Sequence, residues 1–215
     1  MKKSISAILL ALAMMLSLSA CGNSTGNAKT KSMYAQGLEV IQLMHEMTRT
    51  EEYIDMITGS SDIKSIVQKI STGDYSSPKA VYAISVADDA LVSMTGLDSL
   101  DNASDDLKTL LTQKLRGSLM TQINGMSGAA NLAASSVCSV GKTFVDENAT
   151  EDIIYLYTYD NALPVAVVFT IGEDHAVSAS GVFVMFDGFT CGSKDEIEAF
   201  LSYVGVDVRE VSAEK

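Results

Sequence analysis

Tryptophan is absent from this chain of 215 residues, and aromatic residues of every kind make up only 7% of it. Sugar-binding surfaces stack their ligands on exposed rings, so a carbohydrate platform is disfavoured at the outset. Histidine is nearly absent as well, with His45 and His175 the two in the chain. Hydrolases of the Ser-His-Asp or Cys-His type need an imidazole base within reach of a nucleophile. His45 falls between Met44 and Met47 in a helical pattern, and His175 closes the polar turn Gly172-Glu173-Asp174-His175. Neither neighbourhood supplies a nucleophile, so no catalytic residue is assigned.

Basic residues are scarce: 15 Lys and Arg stand against 27 Asp and Glu, for a net charge of −12. Such a chain repels nucleic-acid phosphates and anionic lipid headgroups alike, which excludes DNA and RNA as expected partners. No apolar run is long enough to span a bilayer, which takes about 20 residues as a helix. The nearest approach, Ile5 to Leu18, stops after 14.

That run has a meaning of its own. Met1-Lys2-Lys3 places positive charge before it, and Ser19-Ala20 places small side chains after it. This is the layout of a secretory signal peptide. Leu18-Ser19-Ala20-Cys21 resembles the lipobox of bacterial lipoproteins. The resemblance covers only the first twenty or so residues. It implies cleavage after Ala20, diacylglycerol on the Cys21 thiol, and palmitate-type chains anchoring the product on the outer face of a bacterial, Gram-positive membrane. Two or more acyl chains hold a protein firmly, whereas one holds it only reversibly.

Residues 1–20 are therefore read as signal peptide and 21–32 as a flexible tether. Within the tether, Gly22-Asn23-Ser24-Thr25-Gly26 fits the G-x-S-x-G pattern of serine hydrolases. That motif needs a strand before it and a helix after it, and here it has neither. Removal of the signal takes two lysines, leaving 13 basic and 27 acidic residues and a net charge near −14. The remaining 195 residues suffice for one domain with a sizeable core.

Setting Cys21 aside leaves Cys138 and Cys191, a candidate disulfide pair in an exported protein. Two free thiols are the alternative, and the choice stays open.

Residues 33–215 read as a single α+β domain. Met33, Tyr34, Leu38, Ile41 and Met44 repeat at helical spacing, and Asp62 leads Ile63, Ile66, Val67 and Ile70 into another short helix. Between them, Thr50-Glu51-Glu52 could cap a further segment ending at Gly59. Residues 77–96 fit two templates. Ser77 with Pro78 at the first helical position, and a stripe through Ala80, Ile84, Ala87, Leu91 and Met94, predict a helix; alternation of Tyr82, Ile84 and Val86 would suit a strand. The helix is the expectation. Ser104 and Asp105-Asp106 open a clearer helix through Leu107, Leu110, Leu111, Leu115 and Leu119.

From Val137 the texture becomes β-branched and aromatic in four runs, "VCSVGKTFV", "IIYLYTY", "PVAVVFTI" and "AVSASGVFVMF", joined by short polar turns. They predict a four-strand antiparallel meander. Ser193-Lys194-Asp195-Glu196 is a capping box opening a C-terminal helix, with an edge strand at Val206–Val208. The expected fold is thus N-terminal helices packed on an antiparallel sheet and a trailing helix; whether helices cover one face or both is open. In a sequential meander, three strand spacings, about 14 Å, would separate Cys138 from Cys191, well beyond disulfide reach.

The remaining motifs fail on their partners. S-x-x-K occurs at Ser61–Lys64, Ser76–Lys79 and Ser139–Lys142, but Lys142-Thr143 is followed by Phe144 where penicillin-binding enzymes have K-T-G. Gly141-Lys142-Thr143 lacks the glycine of a phosphate loop five residues earlier, at Ser136. On a helix, Met44 and Met47 share a face that His45 leaves, a poor copper site. The acidic clusters at 105–106, 146–152 and 173–174 lack the alternation of a calcium loop. No metal or cofactor is expected. What remains is an exported, lipid-anchored, non-enzymatic binding or interaction domain for an unknown protein or small ligand. A small envelope hydrolase using carboxylates and a solute-binding receptor are the alternatives.

Overall fold

The computed structural model describes residues 32–50, 61–95, 98–101, 103–127, 143–146, 153–185 and 192–212. Signal and tether residues 1–31, the segment 51–60, and all three cysteines lie outside them.

Helix α1, Met33–Thr48, starts where Ser32 accepts from the Ala35 N–H at 3.3 Å. Met33, Gln36, Gly37, Val40, Ile41, Met44 and Thr48 form its buried stripe. Helix α2, Ser61–Thr72, contributes Val67 and Ile70 to the same core. Strand β1, Ala80–Val86, follows, then α3, Asp88–Thr95, and α4, Asp105–Ser127, whose Ser104 hydroxyl accepts from the Leu107 N–H. The sheet continues with β2, Phe144–Val145, β3, Ile153–Thr158, β4, Val165–Ile171, and β5, Ala176–Val184. Helix α5, Lys194–Leu201, and edge strand β6, Val206–Glu210, complete the order.

The fold is α+β, with N-terminal helices on an antiparallel sheet and a trailing helix. The sheet has six strands in the order β2-β5-β4-β3-β1-β6, two more than the expected four. One of the two is β6, the edge strand expected at Val206–Val208. The other corrects the helix expected over 77–96: residues 80–86 are a strand, and only 88–95 are helical. The physical reason lies in the position of β1 between β3 and β6. Val81 and Ala83 enter one core while Tyr82 and Ile84 enter the other. A strand buried on both faces shows a continuous apolar run rather than clean alternation, which periodicity alone cannot tell from a buried helix.

A second correction concerns order. The meander is not sequential: β2 pairs with β5, Phe144 opposite Val177, and not with β3. The strand that follows Cys138 in the chain is thus hydrogen-bonded to the strand that precedes Cys191. Cys138 and Cys191 themselves, and the candidate disulfide between them, lie outside the described residues.

Helices cover both faces. One core packs α1 and α2 against Tyr155, Tyr157, Tyr159, Val167 and Phe169; the other packs α3, α4 and α5 against Tyr82, Ile84, Ile154, Leu156 and Val168. Residues Lys31–Lys215 form a compact unit; among the described residues, those buried in the two cores run from Met33 to Val208.

Candidate functional site

The second core is complete beneath the C-terminal half of α4 and incomplete beneath its N-terminal half. Leu115, Leu119 and Ile123 are buried against the sheet and α5. Toward the N-terminus Leu111 still packs, half-buried, against this core, and beside it Thr112 and Lys108 are half-buried as well. Of the leucines expected on one stripe, Leu111, Leu115 and Leu119 pack against this core, whereas Leu107 is 37% and Leu110 62% exposed. An open cleft of about 780 Å³ results between this half of α4 and the sheet.

Its floor is aliphatic and follows from strand register. Ile84 on β1 lies opposite Ile154 on β3, and Ile154 opposite Val168 on β4, so three branched side chains form one row across the sheet. All three line the cleft. Its wall on α4 carries Lys108, Thr109, Thr112, Gln113 and Arg116. At its mouth stands the turn between β4 and β5. Asp174 and His175 both hold left-handed backbone, φ 56° and 55°. The Ala176 N–H donates to the Glu173 carbonyl, which makes this a type I′ turn built without glycine at either central position. The Asp146 N–H donates to the His175 carbonyl at 3.1 Å and ties the turn to β2.

The other residues singled out in the sequence do not converge on this cleft. The His45 ring nitrogen Nε2 lies 3.3 Å from the Ser71 carbonyl and the ring 5.1 Å from that of Tyr75, so it serves the seam between α1 and α2. Met44 is fully buried and Met47 packs against the same core. Ser76 donates its hydroxyl to Asp74 at 2.6 Å and holds that carboxyl below the usual carboxylate range, while Lys79 pairs with Asp160. Asp105 and Asp106 sit in the first turn of α4, where negative charge suits the helix dipole. Ala20, Cys21, Cys138, Cys191 and the Ser139–Lys142 pair lie outside the described residues. Among the described residues no group of three His, Cys, Asp or Glu could hold a metal ion, and no helix is long and apolar enough to cross a membrane.

A second polar feature lies in the opposite core. Burial raises the phenols of Tyr75, Tyr157 and Tyr159 above the ordinary tyrosine range. Tyr157 donates to α1 backbone carbonyls, whereas the Tyr159 hydroxyl has no hydrogen-bond partner among the described residues, and the Tyr75 hydroxyl lies near the Leu163 backbone. Their rings meet edge-on at 4.9 Å. All three rings are buried in that core.

No family model, no curated protein and no solved structure matches this chain.

Proposed function

We propose that the chain is a bacterial lipoprotein, exported and joined through Cys21 to the outer face of the membrane, whose domain binds a small ligand in the cleft beneath α4 and does no chemistry on it. The observation that carries the reading is the cleft beside the N-terminal half of α4, where half-buried Lys108 and Thr112 line a wall above a row of aliphatic side chains. A concave, largely apolar site with a few placed polar groups is the usual form of a small-molecule site, and the volume falls within the common range of about 300–1,000 Å³. The short tether keeps the domain near the membrane, and the domain's negative charge leaves anchoring to the lipid.

Carboxylate hydrolysis of a glycoside needs two carboxyl groups facing one bond. Among the described lining residues Asp174 is the one carboxylate, which favours binding over the hydrolase reading. A native mass spectrum of exported residues 22–215 tests the proposal. Wild type should carry a small co-purified molecule that Thr112→Trp, which places a bulky ring in the cleft, does not. An adduct retained by the variant would place binding elsewhere and overturn the reading.

A further inference from the structure

We infer that the anchored domain stands with its α1–α2 side toward the bilayer and its α4 cleft turned to the medium, so that the cleft takes a dissolved ligand and not a bilayer lipid. This rests on the lipid anchor and the cleft proposed above, and it adds which way the site faces.

The described residues begin at Ser32, which caps α1. The first turn of α1 is fixed to the sheet where the Tyr157 hydroxyl donates to the Tyr34 carbonyl at 2.9 Å. Tyr157 belongs to the core that α1 and α2 cover. Ile84, Ile154 and Val168, the floor of the cleft, belong to the other core. Along β3 the two sets alternate, Tyr155 and Tyr157 on one face, Ile154 and Leu156 on the other. The tether therefore joins the domain on one face of the sheet, and the cleft opens on the opposite face.

Reach turns this placement into an orientation. Residues 21–32 number twelve. As a flexible coil such a segment averages roughly 17–20 Å end to end, and fully stretched it covers about 40 Å. Two helix layers and the sheet between them are together roughly 30 Å deep. To lay α4 on the bilayer, the tether must pass round the sheet and cross that depth, which leaves it nearly taut. A taut segment gives up most of its conformational freedom. With α1 and α2 nearest the membrane, the tether stays slack. The domain's own charge does not compete: with 27 acidic residues against 15 basic, it is repelled by an anionic bilayer. The cleft is then reached from the medium without crossing lipid.

The test uses the full lipidated chain in phospholipid vesicles with an energy acceptor on some of the headgroups. A fluorescent amino acid replaces Gln42 on α1 in one variant and Leu110 on α4 in another, both exposed. Transfer from position 42 should exceed that from position 110 at least about twofold, for a difference in height of roughly 20 Å. Equal transfer, or more from position 110, would overturn the orientation. An insert of about twenty Gly and Ser residues after Gly26 lets the tether pass round the domain, and the difference should then vanish. A difference that persists would overturn the tether's role in setting it. Octanoate, a small amphipathic probe for the cleft, should bind the anchored chain and soluble residues 22–215 equally in calorimetry. A loss of about tenfold or more on anchoring would place the cleft against the bilayer and overturn the orientation. Octanoate binding to neither form would overturn the cleft reading and the dissolved ligand with it, while the transfer still reads the orientation. A chain that does not stay with the vesicles carries no lipid and overturns the anchor and the orientation together.

Discussion

The hydroxyl of Tyr157 donates to the Tyr34 carbonyl at 2.9 Å, with the Met33 carbonyl at 3.3 Å. One side chain thus pins an inner strand of the sheet to the first turn of α1. It reaches because residue 37 is glycine: a Cβ there would land on the Tyr157 ring and hydroxyl. Alanine in place of glycine gains about 1 kcal/mol of helix propensity, but overpacking a full core costs roughly 1–3 kcal/mol. Gly37→Ala should therefore destabilise in urea unfolding. Tyr157→Phe should cost about 1 kcal/mol for the lost hydrogen bond. The double variant should lose less than the two losses combined, because phenylalanine lacks the oxygen nearest the new methyl. Strict additivity would show that the two residues do not share this contact.

The type I′ turn at Asp174-His175 carries a removable strain. Left-handed backbone costs a non-glycine residue about 1 kcal/mol or more. His175→Gly should raise unfolding stability by roughly that amount, and His175→Val should lower it. Chemical denaturation of the two variants checks the sign of each change.

Alkaline pH should unfold the domain cooperatively. Burial keeps Tyr75, Tyr157 and Tyr159 protonated in the fold, while in the unfolded chain they ionise near pH 10. Their folded values are raised, so the stabilisation is complete below about pH 10 and is lost as pH rises above it. Three such groups give a slope approaching about 4 kcal/mol per pH unit. Denaturant midpoints from pH 8 to 11, read with tyrosinate absorbance, should fall steeply once past about pH 10, with these phenols ionising only on unfolding. Ionisation of all eight tyrosines without loss of structure would contradict the assignment.

The lipid anchor has a direct test. In a bacterial host given a palmitate analogue, the wild-type chain should take up label and lose residues 1–20. Cys21→Ala should remain unlabelled and keep its signal peptide. Cleavage after Ala20 with no label on wild type would reduce the resemblance to an ordinary secretory signal.

The helices were legible in the sequence wherever a cap and a period agreed. Ser32, Ser104 and Ser193 each accept from a backbone N–H at a helix start, and Glu196 reaches back to the Gly192 N–H at 2.7 Å. Strand β1 was not, because its two faces enter two cores and its run carries no face signal. Strand order was not, because β2 finds β5 through tertiary packing that adjacency in the chain does not encode. The cleft came closest to being legible. Counting back from Leu119 by helical steps reaches Leu115 and Leu111, and that leucine stripe hid the half-buried Thr112 and Lys108 beside it; Leu107 and Leu110 are the leucines of the run that the fold leaves exposed.

Where a small amphipathic probe settles on the domain tests the whole account most directly. Backbone amide shifts of isotopically labelled residues 22–215, followed by NMR as octanoate is added, should move at Lys108 to Met120 on α4, at Ile84 to Val86, and at Ile171 to His175. Residues of α1 and the tyrosine cluster should stay still. Shifts confined to the β6 edge, the outer face of α4 or the opposite core would contradict a ligand seated between Lys108 and the Ile84–Ile154–Val168 row.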